Sequence, residues 1–161
     1  MKSRVYIETS IPSFYYERRE EPEMVARRQW TRQFWDDLGG DYELVTSVAV
    51  LDELSQGDYP GKEDALRLME SVPVVPVEEP IVEIVDAYIG HKVMPADPVG
   101  DALHLAMASY HKCDFLLTWN SRHLANANKF AHVRRVNTML GLFVPMLVTP
   151  LELLGGISGD E

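Results

Sequence analysis

The sequence predicts an α/β protein, a three-layer α/β/α sandwich around a central, mostly parallel sheet of about five short strands. Short runs of β-forming residues alternate along the chain with segments whose apolar residues recur at helical spacing. The chain has 161 residues, of which 46% are hydrophobic and 25% are charged, a composition typical of one globular domain with one core. No repeat or linker interrupts it, so we expect a single domain over residues 1–161.

Each expected element depends on a local pattern. In residues 22–38 the apolar side chains recur every fourth residue, which is the spacing of one helix face, and two glycines follow. Residues 5–7 and 115–118 are short runs of β-forming residues bounded by turn residues. Prolines confine the segment 72–77 to a short strand or an edge strand.

In chain order, these patterns predict strand 5–7, helix 22–38, strand 43–46, helix 48–54 capped by Ser47, helix 62–69, strand 72–77, helix 80–90, helix 98–110, strand 115–118, a helix that contains 133–140, strand 146–148 and a final helical turn from Thr149. Residues 8–12 are expected to form a turn because polar residues there lead to Pro12. Strands that alternate with helices in this way build a parallel sheet covered on both faces.

The charge balance excludes one class of protein. The chain has 15 Lys and Arg against 25 Asp and Glu, a formal net charge of −10, so it does not hold nucleic acid mainly through a basic surface. Residues 115–151 nevertheless contain no acid and include Arg122, Lys129, Arg134 and Arg135, together with His123 and His132. These bases either line the path of an RNA backbone or form a solvated surface that pairs with acids elsewhere.

No segment predicts export or a membrane span. The N-terminal residues reach Glu8 before an apolar stretch long enough for a signal peptide forms. The longest apolar stretch, 142–148, is too short to cross a bilayer. The single cysteine, Cys113, cannot form an internal disulfide. We therefore expect a cytoplasmic protein without membrane partners.

Four polar residues fall at positions where α/β proteins build sites. Such sites collect outside the carboxyl ends of parallel strands, and Glu8 and Asn120 follow two of the expected strands. A carboxylate that closes a buried strand is costly unless it is paired or binds a cation. Glu53 and Asp101 lie in helices otherwise occupied by apolar residues. Each of three residues, taken singly, also has a simpler explanation. Asp101 would be a first-turn acid that the helix dipole favours. Glu53 would be a solvated surface residue, and Asn120 would be an ordinary turn residue.

Five segments, in this order, resemble the landmarks of a PIN domain. They are Val5-Tyr6-Ile7-Glu8-Thr9-Ser10, Thr46-Ser47 with Leu51-Asp52-Glu53-Leu54, Asp101-Ala102-Leu103-His104-Leu105-Ala106, Asp114-Phe115-Leu116-Leu117-Thr118-Trp119-Asn120, and Val148-Thr149-Pro150-Leu151-Glu152. The resemblance covers a core of about residues 4–154, and it points to the VapC-like ribonuclease toxins of type II toxin–antitoxin systems. It implies the PIN-like form of the α/β/α sandwich.

The resemblance also implies a function and a site. It implies a metal-dependent endoribonuclease that hydrolyses RNA phosphodiester bonds, with a cognate antitoxin and a homodimer as further partners. It places Glu8, Glu53, Asp101 and Asn120 at the family's catalytic positions, and Mg²⁺ or Mn²⁺ on Glu8, Asp101 and Glu53. The family usually has an aspartate where this chain has Glu8, and an acid where it has Asn120. One metal ion is therefore better supported than two.

Other residues flank these acids. Three hydroxyl side chains are expected to support them by hydrogen bonds, or to serve as turns and caps: Thr9, Ser10 and Thr118. His104 follows Asp101 by three residues, so it shares a helix face with it, either as a ligand or as a packed, hydrogen-bonded residue. Asp52 points about 100° away from Glu53 on a helix and is left out of the ligand set. Arg122, Arg134 and Arg135 are the expected contacts to substrate.

Two alternatives to an RNA nuclease remain open from the sequence. A PIN-like domain weakened at Glu8 and Asn120 would act as a protein- or RNA-binding module without cleavage. A metal-dependent DNA nuclease or a phosphatase would use similar acids, because the ligands do not encode the substrate. A divalent cation that binds only the folded state raises the melting temperature, which separates an intact metal site from a weakened one.

Overall fold

A five-stranded parallel sheet forms the centre of the molecule. The structure is a computed structural model that describes residues 1–95 and 100–158. The strands are β1 Arg4–Ile7, β2 Glu43–Ser47, β3 Val74–Val75, β4 Phe115–Leu117 and β5 Met146–Val148. Every strand pair is parallel, and the order across the sheet is β3-β2-β1-β4-β5. The predicted α/β fold with about five strands is confirmed.

Helices connect and cover these strands. They are α1 Ser10–Tyr15, α2 Pro22–Gln33, α3 Val48–Ser55, α4 Lys62–Met69, α5 Glu79–Gly90, α6 Asp101–Tyr110, α7 Ala127–Met139 and α8 Pro150–Ser158. A π-helical turn, Phe34–Leu38, and a 3₁₀ turn, Gly39–Asp41, follow α2. Within residues 1–95 and 100–158, no helix has both the length and the apolar character that a bilayer crossing requires.

The helices form two layers. Helix α1 packs on α2 and α4, α4 packs on α3, and α8 packs on α2. Helices α5 and α6 pack together, and α7 joins them through the hydroxyl of Tyr88, which is 3.0 Å from Ser109 Oγ and donates to Asn137 Oδ1 at 2.6 Å. Because crossovers between parallel strands are right-handed, connections toward β3 and connections toward β5 place their helices on opposite faces of the sheet.

The central strand β1 is fully enclosed by these layers. Val5, Tyr6 and Ile7 are each 0% exposed, as expected for a parallel strand with helices on both faces. Tyr6 is the one polar side chain among these three residues of β1. Its buried phenol hydroxyl needs a hydrogen-bond partner. Its partners lie at the candidate site described below.

The structure corrects several predicted element ends. The expected turn at residues 8–12 contains the start of α1 at Ser10, and Pro12 is tolerated there because the first turn of a helix needs no intrahelical N–H bonds. The predicted helix 22–38 is α-helical only to Gln33. An apolar residue at every fourth position does not distinguish an α-helix from the π-helical turn that follows. The third strand is only two residues long.

The helix starts also differ from expectation. Ser47 occupies the N-cap position of α3, but its side chain makes no capping bond, because its Oγ lies 2.7 Å from Tyr6 Oη. Helix α7 begins well before residue 133, because the side chain of Asn126 accepts a hydrogen bond from the backbone N–H of Asn128 and caps it. Helix α6 begins at Asp101; the first residues of the predicted helix 98–110 lie outside the described residues.

Candidate functional site

The candidate site lies where the order of the strands reverses. Strand β1 has β2 and β3 on one side and β4 and β5 on the other. In open α/β sheets a crevice forms outside the carboxyl ends of the strands at such a point. Ile7 pairs with Leu117, so Glu8 and Thr118, the residues that follow the paired positions, leave the sheet side by side. Topology therefore brings the ends of β1 and β4 together.

Glu8 is buried at this crevice and is held by neutral donors. The residue is only 7% exposed. Its Oε1 accepts hydrogen bonds from Ser10 N at 3.0 Å, Ser10 Oγ at 2.5 Å and Thr118 Oγ1 at 2.7 Å. Burying a carboxylate is costly, and hydrogen bonds to the charged form offset that cost. Two of the three flanking hydroxyl residues thus contact Glu8 directly.

The loop after β4 is anchored to α1 and α2. The backbone N–H of Trp119 donates to Ser10 Oγ at 2.8 Å, and the indole Nε1 donates to Thr31 Oγ1 at 2.8 Å. The Trp119 ring stacks on Trp30 with 6.1 Å between ring centroids. These contacts fix the position of the loop residue that follows, Asn120.

A chain of buried polar groups ends on Glu53. Glu53 Oε1 accepts from the hydroxyl of Thr9 and lies 2.7 Å from His104 Nε2. His104 is 1% exposed, and its Nδ1 lies 2.8 Å from Tyr6 Oη. Tyr6 Oη in turn lies 2.7 Å from Ser47 Oγ. The chain links the end of β2, through β1 and α6, to the carboxylate on α3.

Glu53 and His104 form an ion pair within this chain. Burial disfavours the charged form of His104, but the hydrogen bond to Glu53 and the negative charges of Glu8, Glu53 and Asp101 outweigh it and raise the pKa of His104. Burial likewise opposes ionisation of Glu53. The pKa of Glu53 is nevertheless lowered, because His104 contributes a hydrogen bond and a positive charge and the Thr9 hydroxyl contributes a second hydrogen bond. Each group therefore favours the charged form of the other.

The ion pair sets the direction of the other bonds. In its charged form His104 has both ring nitrogens protonated and donates to Glu53 and to Tyr6. Burial raises the pKa of Tyr6, so its hydroxyl keeps its proton and donates to Ser47. Both nitrogens of His104 are thus engaged, and the structure fits the packed, hydrogen-bonded interpretation of His104 better than a ligand role.

Asp101 and Asn120 form the other side of the site. Asp101 is half-buried in the first turn of α6, and Asn120 Nδ2 donates to its Oδ1 at 3.1 Å. Asn120 Oδ1 accepts from the backbone N–H groups of Arg122 and His123, both at 3.1 Å. These two donors define which end of the amide is oxygen. Asn120 therefore orients Asp101.

Glu53 and Asp101 border one open cleft, and Glu8 is not part of its lining. The cleft has a volume of about 340 Å³ and is lined by Glu53, Pro95, Gly100, Asp101 and His123. Lys129 is near enough for the charge of Asp101 to raise its pKa, although burial outweighs this effect and lowers it. Sequence reasoning placed His123 only within a basic stretch; its position three residues after Asn120 is the signal that relates it to the site.

The remaining predicted substrate contacts lie outside the lining of this cleft. Arg122 is exposed in the loop after Asn120, and Arg134 and Arg135 are exposed on α7. The guanidinium of Arg134 lies 5.9 Å from the centroid of the Phe130 ring. The sequence did not single out Tyr6 and Ser47 as site residues. A tyrosine inside a buried strand was the available signal, because its hydroxyl must find a partner.

The residues suit a divalent cation without forming a ready-made cage. In the part of the chain that the structure describes, no three His, Cys, Asp or Glu side chains converge on one point. The acids of the site offer carboxylate oxygens, which hard cations prefer as ligands. Mg²⁺ commonly binds through one or two carboxylates while keeping several waters. Glu53 and Asp101 face the same cleft, so the donor set fits a loosely held, hydrated cation.

The fold and the site together define a parallel α/β protein with a carboxylate site at its topological switch point. A family model of the PIN domain matches residues 5–129. The chain belongs to the PIN-domain family. PIN domains are in general nucleases, hence hydrolases of nucleic acid, and they typically bind divalent metal ions. No curated protein matches the chain.

Proposed function

We propose that this protein is a metal-dependent endoribonuclease that hydrolyses RNA phosphodiester bonds, and that it is the toxin of a type II toxin–antitoxin pair. The observation that carries the nuclease proposal is the shared cleft of Glu53 and Asp101 at the switch point of a PIN fold. RNA as the substrate, an antitoxin as the partner and a homodimer are supported by the resemblance of the five sequence segments to VapC-like toxins.

Three carboxylates would hold the Mg²⁺ or Mn²⁺ ion: Glu8, Glu53 and Asp101. Such an ion would neutralise charge on the scissile phosphate and activate water for in-line attack. The chain supplies the positions of the carboxylates, because each is held by groups that need no metal. Ser10 and Thr118 hold Glu8, and Asn120 holds Asp101.

Positioning of Glu53 requires the longest chain of contacts. Thr9 and His104 fix its Oε1, which leaves its other oxygen available to a ligand in the cleft that Glu53 lines. His104 is fixed in turn by Tyr6. Groups outside a ligand shell commonly contribute tenfold or more to metal affinity, because they orient the ligand before the metal binds.

The substrate backbone would approach from the acid-free side of the cleft. His123 borders the cleft and Lys129 lies within the electrostatic reach of Asp101. Arg122, Arg134 and Arg135 extend this basic character along the loop and α7. Phosphate contacts of this kind position a nucleic acid without reading its sequence.

The proposal is tested with the Asp101→Asn variant. We expect Mn²⁺-dependent cleavage of single-stranded and structured RNA to fall by about 100-fold or more, because the substitution removes a charge that acts on the metal. Asp86→Asn, an exposed acid on α5, is the matched control and should cleave at the wild-type rate. Single-stranded DNA of the same sequence tests whether the substrate is RNA.

Unchanged cleavage by Asp101→Asn would remove the assignment of the site. One observation favours the second candidate, a PIN-like domain that binds protein or RNA without cutting: an amide, that of Asn120, faces Asp101 where the family usually has an acid. If the wild-type protein cuts no nucleic acid and Mn²⁺ leaves its melting temperature unchanged, the second candidate is favoured.

A further inference from the structure

A second recess, here called the α3–α6 groove, adjoins the acid cleft. It has a volume of about 420 Å³ and lies between α3 and the start of α6. Its apolar wall is formed by Val48, Ala49, Val77 and Leu103. Val48 is 49% exposed and Val77 is 50% exposed, so a ligand that covered them would remove apolar surface from water.

The groove shares part of its lining with the acid cleft. Glu53 and Gly100 line both recesses. A group that occupies the groove is therefore adjacent to a group bound at the carboxylates. For a nucleic acid substrate cut at those carboxylates, the groove lies within reach of the nucleotide next to the scissile bond.

The charge of the groove determines which part of a nucleotide fits. Asp52 and Glu53 are acidic, and no Lys, Arg or His lines the groove among the residues that the structure describes. A phosphate there would face like charges. The base is the uncharged, flat part of a nucleotide, and bases pack well against apolar side chains. The groove is thus complementary to a base and not to the backbone.

Two polar side chains at the rim can read that base. Asp52 and Gln56 are four residues apart on α3 and therefore share a helix face. An ionised carboxylate only accepts hydrogen bonds, so Asp52 requires an N–H donor. Adenine, cytosine and guanine carry an exocyclic amino group. Uracil carries a carbonyl oxygen in the position of the amino group of cytosine, and its N3–H donor lies between two carbonyl oxygens, which a carboxylate repels.

We propose that the α3–α6 groove binds the nucleobase next to the scissile bond, and that Asp52 selects bases with an exocyclic amino group over uracil. The proposal deepens the nuclease function above and rests on it for the position of the scissile bond. It also gives a role to Asp52, the acid that points away from the metal ligands.

Binding of mononucleotides tests the groove without cleavage. The probes are AMP, CMP, GMP and UMP with Mg²⁺, and the readout is the methyl NMR shifts of Val48, Val77 and Leu103. We expect the three amino-bearing nucleotides to shift these methyls and UMP to bind about 10-fold more weakly, since the carbonyl oxygens beside its N3–H weaken the hydrogen bond to a charged acceptor. Asp52→Asn should reduce this difference, and Asp64→Asn, a half-buried acid on α4 outside the groove, should keep it.

Cleavage patterns on an unstructured RNA that contains every dinucleotide test the position of the base. Wild-type protein and Asp64→Asn should cut beside amino-bearing bases, and Asp52→Asn should cut more evenly. Equal responses to all four nucleotides, no methyl shifts, or an Asp52→Asn variant that retains the preference would overturn the proposal.

Two further outcomes separate this proposal from a peptide-binding groove and from the proposed nuclease function. If an arginine-rich peptide shifts the groove methyls and no nucleotide does, the groove is a peptide site and the proposal is wrong. If the nucleotides bind selectively but no RNA is cut, base recognition by the groove is supported and the nuclease function fails.

Discussion

At the residue scale, the amide of Asn120 performs a task that a carboxylate could perform only with a cation. Its Nδ2 donates to Asp101, while its Oδ1 accepts from two backbone N–H groups of the following loop. An aspartate would keep the two loop bonds, but its second oxygen would face Asp101 with the same charge. The amide therefore holds Asp101 in place without a metal between them.

We predict that Asn120→Asp makes the stability of the protein depend on metal. In EDTA the free energy of unfolding should fall by about 1–3 kcal/mol, because a hydrogen bond is replaced by repulsion. Mn²⁺ should restore most of this loss, and the metal-induced rise in Tm should exceed that of the wild type. Urea unfolding with EDTA and with Mn²⁺ measures both effects.

Asn126→Asp is the matched control for this prediction. Asn126 accepts from the backbone N–H of Asn128 at 3.0 Å, as an N-cap aspartate also can, and its Nδ2 donates to a backbone carbonyl instead of an acid. Its stability should respond to Mn²⁺ as the wild type does. An equal metal response in the two variants would show that Asn120 does not govern the charge at Asp101.

The hydroxyl of Tyr6 is the second residue-scale feature with a measurable effect. Tyr6→Phe leaves the ring in place but removes the partner of His104 Nδ1 and Ser47 Oγ. We expect a loss of about 1–3 kcal/mol of stability, because buried polar atoms lose a bond. Affinity for Mn²⁺ should fall by about 10–100-fold, as is typical when support of a ligand is removed. Urea unfolding and calorimetric titration measure the two quantities.

Tyr88→Phe separates the effect on the site from the effect on the fold. Tyr88 is also 0% exposed, and its hydroxyl contacts Ser109 and Asn137, away from the acids. Loss of the Tyr88 hydroxyl should reduce the free energy of unfolding by about as much as loss of the Tyr6 hydroxyl does, and should leave Mn²⁺ affinity unchanged. If Tyr6→Phe also keeps its Mn²⁺ affinity, the buried chain does not position Glu53.

At the scale of elements, helix α1 is central to the site although it is only six residues long. It carries Ser10 onto Glu8 and packs between α2 and α4. Gly61, at the start of α4, has φ +85, and a Cβ there would come within 3.1 Å of Tyr16 Cβ. The absence of a side chain at Gly61 therefore allows α4 to approach the end of α1.

We predict that Gly61→Ala destabilises the protein more than Gly57→Ala does. Both glycines have positive φ, but a Cβ at Gly57 would meet no atom within 4 Å. Gly57→Ala should cost about 1–2 kcal/mol for the left-handed backbone alone. Gly61→Ala should cost about 1 kcal/mol more, for the contact with Tyr16. Equal losses in urea unfolding would show that α1 and α4 adjust freely.

At the scale of the whole molecule, the distribution of charge matters more than its sum. The net charge is −10, yet residues 115–151 contain no acid. The structure places this stretch beside the acid cleft, since Asn120 contacts Asp101 at one end of it. Arg134 and Arg135 lie farther along, exposed on α7. A nucleic acid backbone could approach the cleft over this side of an otherwise acidic protein.

Neutralising Arg134 and Arg135 to glutamine should weaken the salt dependence of RNA binding. Each phosphate contact to a single strand adds about 0.7 to the slope of log K against log salt, so the double variant should lose about 1.4. The measurement uses Asp101→Asn protein, which we expect to bind RNA without rapid cleavage. Arg67→Gln, an exposed arginine paired with Asp64 on α4, should leave the slope unchanged.

An unchanged slope in the Arg134 and Arg135 double variant would favour the other interpretation of these residues. They would then form a solvated surface, for which charge removal has little effect on binding. The phosphate contacts would then be confined to the cleft, which His123 lines, and to Lys129 near Asp101.

The sequence predicted much of the fold because each strand and helix leaves a local pattern. Helix 62–69 and strand 146–148 have the predicted bounds, since periodicity and flanking breakers act over a few residues. Helix α1 was missed, because a short helix beside a proline resembles a turn. The π turn after α2 was missed because its apolar spacing matches that of the α-helix before it.

The candidate site could be predicted only in part from the sequence. Glu8 and Asn120 follow strands, and the carboxyl edge of a parallel sheet collects such residues. Their hydrogen-bond partners could not be predicted. Tyr6 and His104 are 98 residues apart in the chain, and Thr118 and Glu8 are 110 apart. No local pattern encodes contacts over such separations.

The sequence by itself determined the α/β class, the strand ends that carry acids and the family resemblance, because these depend on residue types at short spacing. Tertiary structure alone decided which acids share a cleft and which way the amide of Asn120 points. It also decided that Asp52 lies in a separate groove beside Glu53. The physical reason is that hydrogen bonds and burial depend on how helices pack across the sheet, and packing joins residues that are distant in the chain.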